Sequence, residues 1–357
     1  MRTFLKYFKG ANHQMKLTSK RLAAVAIAGA LILPASAALP GAPTAAKSSA
    51  QAGQKFIDLK KVPKPKISGA EMIEGLEDFV ERFPLRTSMA PANEAAAKFL
   101  AEEAEGYGFK VKIHEFQAGT PARTVRVVEA IKKGRKKPKD WIAFIAHYDT
   151  IANAGVTVQG AYDDGSGTNM LRYFGKAFSK QPMNKSIALL WFDAEENGLL
   201  ASRAYAEMVH KRGQKISAGF GFDMVGIGHP APYCICVYHG QVDGPLAEPI
   251  IDYVNFKHLK FPEGNGSGKW PVGGEGHVCN CGPNIRNSDE QSFSRLGYFT
   301  MRWTGMKTAL DYPGYHQPWD TVPFMEVVAE GRENLELGTE NTFNSAWYTT
   351  FIIDNLP

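Results

Sequence analysis

Apolar runs that close on a histidine or an acid recur along this chain, and they limit what it can fold into more than any other feature. IAFIAHYDT ends on His147 and Asp149, ALLWFDAEENG on Asp193, Glu195 and Glu196, and GFGFDMVG on Asp223. None of these runs has helical spacing, so each reads as a strand. Stretches with helical spacing lie between and after them. Strands alternating with helices predict an α/β fold, a three-layer sandwich with a central mixed, largely parallel sheet flanked by helices. In such a sheet ligands gather outside the carboxyl ends of the strands, which is where these polar residues fall.

In detail, helices are expected over 70–83, 91–107, Leu199–Lys211, Pro245–His258 and Met325–Asn355. Strands are expected at Val111–Phe116, Thr124–Ile131, Trp141–Ala146, Ser186–Phe192, Ile216–Phe222, Tyr233–Tyr238 and Tyr298–Trp303. Residues 262–287 are rich in glycine and read as irregular. The basic stretch Lys132–Lys139 reads as a solvated turn between strands rather than a grip on an acidic partner.

Upstream, a basic stretch ends at Lys20-Arg21, an apolar run follows from Leu22 to Leu33, and then come Pro34 and the small triplet Ala35-Ser36-Ala37. This is the order of a secretory signal peptide over residues 1–37, its apolar run too short to span a bilayer. Those residues carry Arg2, Lys6, Lys9, Lys16, Lys20 and Arg21 and no acid, so without them the net charge of +5 becomes −1. The positive balance therefore belongs to the leader and gives no reason to expect a nucleic-acid partner. The expected protein is exported, periplasmic or secreted, with no stable membrane insertion once the leader is removed. Residues 38–68, rich in Ala, Ser, Lys and Pro, read as a flexible linker or short pro-segment, and residues 69–357 as the globular domain.

Two further segments add to the polar strand ends. GAYDDGSGT offers Asp163 and Asp164, and GYHQPWDT offers His316. Singly, an acid after a strand is usually a helix cap or a turn residue, and a lone histidine is usually hydrogen-bonded filler. Five segments delivering the same residue types to one crevice are not explained that way. Imidazole and carboxylate ligands suit divalent zinc with a coordination position left open for water. Two histidines and three carboxylates, one of them shared, supply three protein ligands to each of two metals.

The set AHYDT, GAYDDGSGT, FDAEENGLLAS, FDMVG, SDEQSF and YHQPWDT resembles, in order and spacing, the co-catalytic zinc aminopeptidases of the aminopeptidase Y and bacterial leucyl aminopeptidase type, over roughly residues 69–355. The resemblance implies a zinc peptidase catalytic domain holding two Zn2+ per chain. His147 and Asp223 would hold one zinc, Glu196 and His316 the other, and Asp163 would bridge them. Glu195 would be the general base, Asp149 the carboxylate orienting His147, and Tyr315 a donor to the developing oxyanion. The implied activity is release of N-terminal residues from peptides with a free N-terminus. The chain departs from the pattern at Ala201-Ser202, where many members have Gly-Ser, and at Glu290, where many have His. A glutaminyl cyclase or a carboxypeptidase on the same scaffold, and a non-catalytic binding module, are the alternative readings.

Four cysteines stand in two C-x-C pairs, Cys234 and Cys236, and Cys279 and Cys281. Export favours disulfides, and two parallel bridges between the pairs would tether the glycine-rich stretch to the sheet. A structural zinc on four thiolates is the other reading.

Overall fold

The computed structural model describes residues 55–152, 157–228, 235–258, 278–283, 287–305 and 311–357. The expected signal peptide, most of the expected linker, Cys234 and most of the glycine-rich stretch fall outside them. Among the described residues the strands are β1 (Lys110–Ala118), β2 (Arg123–Lys132), β3 (Lys137–His147), β4 (Lys185–Phe192), β5 (Lys215–Phe222), β6 (Ile235–His239), β7 (Val278–Gly282) and β8 (Thr300–Thr304). They form one sheet in the order β1-β2-β4-β3-β5-β8-β6-β7. β3 runs parallel to β4 and β5, β5 to β8, and β6 to β7. β1 with β2, β2 with β4, and β6 with β8 are antiparallel. The sheet is therefore mixed, with a parallel centre, as expected.

The helices are α1 (Gly69–Arg82), α2 (Pro91–Gly106), α3 (Ser166–Phe178), α4 (Leu200–Lys211), α5 (Gly244–His258), α6 (Glu290–Ser294), α7 (Val322–Val328) and α8 (Arg332–Asn355). Side chains alternate across the central strands and build a core on each face. Phe144, Leu189, Trp191, Phe220 and Phe222 pack with Phe79 of α1, Leu100 of α2, Phe174 of α3 and Phe343 of α8. Ala143, Ile145, Leu190 and Phe192 pack on the other face with Tyr205 of α4 and Phe293 of α6. Because both faces are covered, every residue of β4 is buried, which is why its sequence is an unbroken apolar run.

Several elements differ from expectation. The sequence assigned no helix to α3, whose Gly, Thr and Asn give little helix propensity; burial of Met170, Leu171, Phe174 and Phe178 along one side forms it. β7 lies inside the stretch expected to be irregular, paired in parallel with β6 from Val278 opposite Ile235. The single C-terminal helix divides in two at Glu330 (φ 62°) and Gly331 (φ 137°), backbone that does not continue a right-handed helix. Ordered packing also starts before Gly69: Leu59, Val62 and Ile67, read as linker, are buried in the core. The Lys132–Lys139 turn is short, and Arg135 to Lys139 are exposed along it. A disulfide joins Cys236 to Cys281, with Cα atoms 5.6 Å apart. The second expected bridge, through Cys234, lies outside the described residues. Among the described residues no helix is long and apolar enough to cross a membrane.

Candidate metal centre

The parallel strands β3, β4 and β5 deliver their last residues to one edge of the sheet. His147 closes β3, and Asp149 follows two residues later; both are fully buried. The His147 ring places Nδ1 3.4 Å from Asp149 Oδ1 and 3.2 Å from the Asp149 carbonyl. Its other nitrogen, Nε2, lies 3.3 Å from Asp163 Oδ1. A histidine tethered at one nitrogen by a carboxylate presents the other in a fixed direction and tautomer.

Asp163 stands between two histidines. Oδ1 faces His147, and Oδ2 is 3.4 Å from His316 Nε2. His316, which adopts left-handed backbone at φ 57°, also approaches Glu196 Oε2 at 3.1 Å. Among the described residues two groups of possible metal ligands result: His147, Asp163 and Asp223, and Asp163, Glu196 and His316, with ligand atoms in each group within 4.8 Å of one another. Asp163 belongs to both. Among the described residues Glu196 Oε1 is buried with no hydrogen-bond partner, an arrangement costly for a carboxylate unless a cation completes it. Oxygen and imidazole donors of this kind fit a divalent metal such as zinc.

The two glutamates after β4 owe their placement to Asp149. Its Oδ1 accepts the Glu195 N–H at 3.1 Å and its Oδ2 the Glu196 N–H at 3.3 Å. One buried carboxylate thus orients both the first histidine and the glutamate turn. Tyr315 stacks on His316, ring centroids 3.7 Å apart. Burial and then the charges of Asp163 and Glu196 push its hydroxyl upward, so it stays protonated and able to donate.

The electrostatics are those of crowded acids. Burial pushes the Glu195 carboxyl well above its ordinary range, and the charges of Asp289, Asp223 and Glu196 push it further, against His147. Burial and Asp163 raise Glu196 to about 7. Burial would also raise Asp163, but hydrogen bonds from His147 and His316 outweigh it and leave that group at about 2. Conversely, burial lowers His316, and Asp163 and Glu196 overcome it, bringing the imidazole to about 10.

All eight residues expected at the site therefore lie at this edge of the sheet. The sequence also offered Asp164 and Asp193, and among the described residues neither joins a metal group. Asp164 turns inward, where Oδ1 accepts from Gly167 N–H at 2.7 Å and Met224 N–H at 3.3 Å, and Oδ2 from His147 N–H at 3.3 Å. It ties the ends of β3 and β5 to the start of α3. Asp193 accepts from the Asn93 amide at 2.9 Å and the Ser88 hydroxyl at 3.3 Å. Sequence reasoning missed Asp320 and Arg86. Asp320 sits inside YHQPWDT and was legible as part of that motif; FPLRTS, around Arg86, carried no signal.

Residues 126–327 match the model of peptidase family M28. Aminopeptidase YwaD of Bacillus subtilis is 36% identical over 99 residues, 26% of this chain and 21% of that protein, so the chain spans about a fifth of its relative's length. A leucine aminopeptidase precursor from Bacteroides thetaiotaomicron superposes with a TM-score of 0.60 at 18% identity, covering 82% of this chain and 99% of the other. A glutaminyl cyclase from the same organism, bound to N-acetylhistamine, gives 0.59 at 18% identity, covering 83% and 100%. The last two likenesses are of fold.

Proposed function

From the premise that the chain belongs to peptidase family M28, we propose that it is a dinuclear zinc exopeptidase, an aminopeptidase acting on peptides with a free N-terminus. The observation that carries this reading is Asp163, whose two oxygens face the imidazoles of two separate ligand groups at 3.3 and 3.4 Å. A shared carboxylate is what a pair of metals requires. His147 and Asp223 would hold one zinc, Glu196 and His316 the other, with Asp163 between them. Bound there, two zinc ions would make a water acidic near neutral pH and polarise the scissile carbonyl.

The protein's own groups do the rest. Glu195, with its pKa raised by burial, takes the proton of the attacking water and returns it to the departing amine. Asp149 holds the Glu195 main chain and the His147 ring, so base and ligand keep one relative geometry. Tyr315, stacked on His316, donates to the oxyanion as it forms. Aminopeptidase YwaD supports peptides as substrates. Residues 1–37 would direct export and be removed near Ala38, leaving a periplasmic or secreted enzyme; N-terminal sequencing of exported material tests this.

The decisive comparison is a panel of aminoacyl-chromogenic substrates, free and N-acetylated, with and without a chelator. Turnover of the free forms, lost on acetylation and on chelation, is expected. Equal turnover of both forms refutes the aminopeptidase. Cyclisation of an N-terminal glutamine without cleavage supports the second reading, to which the glutaminyl cyclase of like fold points. Release of residues only from the C-terminus supports a carboxypeptidase.

A further inference from the structure

The segment Gln159–Asp163 carries the carboxylate common to both ligand groups, and it is neither strand nor regular helix. Asp163 itself has φ −112° and ψ 98°. Two fully buried groups of opposite charge hold this segment from either side. Arg86 donates through Nη1 to the Gln159 carbonyl and through Nη2 to the Gly160 carbonyl, both at 2.9 Å. The same guanidinium donates through Nε to the carbonyl of Tyr148 at 2.8 Å, the residue between His147 and Asp149. Its Nη1 also reaches the Phe83 carbonyl at 2.9 Å.

Asp320 takes the amides. Its Oδ1 accepts the Tyr162 N–H at 2.9 Å, its Oδ2 the Asp163 N–H at 3.1 Å, and its own carbonyl the Ala161 N–H at 3.2 Å. The Tyr312 hydroxyl donates to Oδ1 at 3.0 Å and orients the carboxylate. Asp320 lies in the same loop as His316. The cation thus joins the segment to the His147 strand end, and the anion joins it to the His316 loop. The close approach also depends on Gly160, at φ 60°: a Cβ there would lie 2.5 Å from the Asp163 carbonyl oxygen and 3.3 Å from Arg86 Nη2.

We propose that Arg86 and Asp320 are paired positioning residues that lock the Asp163 segment between the His147 and His316 segments and so couple the two ligand groups. This rests on the dinuclear reading above. A planar guanidinium with five donors can satisfy several carbonyls at once, which a lysine ammonium cannot do in that geometry. At Arg86 a purely Coulombic role predicts the reverse effect. A buried positive charge near the ligand carboxylates opposes a metal cation, so its removal would tighten metal binding.

The test is zinc affinity, measured on the purified chain by competition with a chromogenic chelator, for wild type, Arg86→Lys, Arg86→Met and Asp320→Asn. Near-UV circular dichroism of each metal-free protein checks folding. Removing partners that orient ligands costs roughly 10- to 100-fold in metal affinity. All three variants are expected to weaken both zinc sites by at least about tenfold, with Arg86→Lys rescuing neither. Zinc binding as in wild type, loss confined to one site, or tighter binding in Arg86→Met overturns the lock. If the Arg86 variants do not fold, Asp320→Glu, which keeps the charge but displaces the carboxylate from the Tyr162 and Asp163 amides, decides: weaker zinc binding is expected, and binding as in wild type overturns the lock. A wild type that binds no zinc overturns the dinuclear reading instead.

Discussion

Glu195→Gln separates a proton carrier from a metal ligand. The contacts that place Glu195 are main-chain ones: its N–H donates to Asp149 at 3.1 Å, and its carbonyl accepts from Gly198 at 2.7 Å and Leu199 at 2.9 Å. Glutamine keeps all of them, along with the side-chain volume, so the turn should survive. What is lost is the ability to take a proton. General acid–base catalysis contributes about 10²- to 10⁴-fold, or about 2.7 to 5.4 kcal/mol of barrier. Turnover should therefore fall at least about a hundredfold, with KM changing much less than kcat. Zinc content should stay near that of wild type. The metal-free variant should be no less stable than wild type at neutral pH. A neutral amide never has to carry the charge that burial, and then Asp289, Asp223 and Glu196, disfavour at this position. Glu196→Gln should behave differently, because Glu196 Oε2 lies 3.1 Å from His316 Nε2 and Oε1 is buried without a partner among the described residues. There zinc is lost with activity, and added zinc partly restores both. Metal analysis beside steady-state kinetics on the two variants makes the comparison. Full activity in Glu195→Gln would falsify the mechanism, and zinc loss in Glu195→Gln but not in Glu196→Gln would reverse the two assignments.

Asp149→Asn should cost activity through both groups it orients, since one of its oxygens must become a donor facing an N–H; unchanged kcat and zinc affinity would exclude that role. Chelated protein should melt at a higher temperature near about pH 5 than near about pH 8. Burial raises Asp193, Glu196 and Asp320 to about 7 and Asp289 to about 8, and the acids around His316 raise it to about 10. The folded state then binds more protons than the unfolded chain across this window, and stability falls as pH rises. Zinc-loaded protein should show the opposite trend, because its ligands bind metal deprotonated; the same trend in both forms would refute the account. Gly338→Ala would place a Cβ 2.1 Å from the Gly226 carbonyl oxygen, and should lower stability by about 1–3 kcal/mol by denaturant melt. Reducing the Cys236–Cys281 bridge, which spans 45 residues, should cost up to about 4 kcal/mol in the same assay if loop closure dominates.

The apolar runs before His147, Glu195 and Asp223 determined by themselves that strands would end there and that their polar residues would share one edge. Burial on both faces leaves a strand no choice but an unbroken apolar run, so sheet and ligand types were legible together. The helical spacing of α1, α2 and α4 was legible for the related reason that one side of each is core. α3 was not, because its propensity is poor and only the sheet beneath Phe174 and Phe178 makes it form. β7 was not, because a short glycine-flanked strand exists through its partner β6. Asp164 and Asp193 carried the same sequence signal as the ligands, and only the fold turned them inward to backbone amides. Arg86 is the clearest case. It precedes the Gln159 and Gly160 carbonyls by more than seventy residues, with separations of 73 and 74, and no local pattern announces a guanidinium whose acceptors are main-chain oxygens. Ligand chemistry is written in residue type and strand position, which a sequence displays. The geometry that makes Asp163 a shared ligand comes from contacts between distant segments, which exist only once the chain has folded.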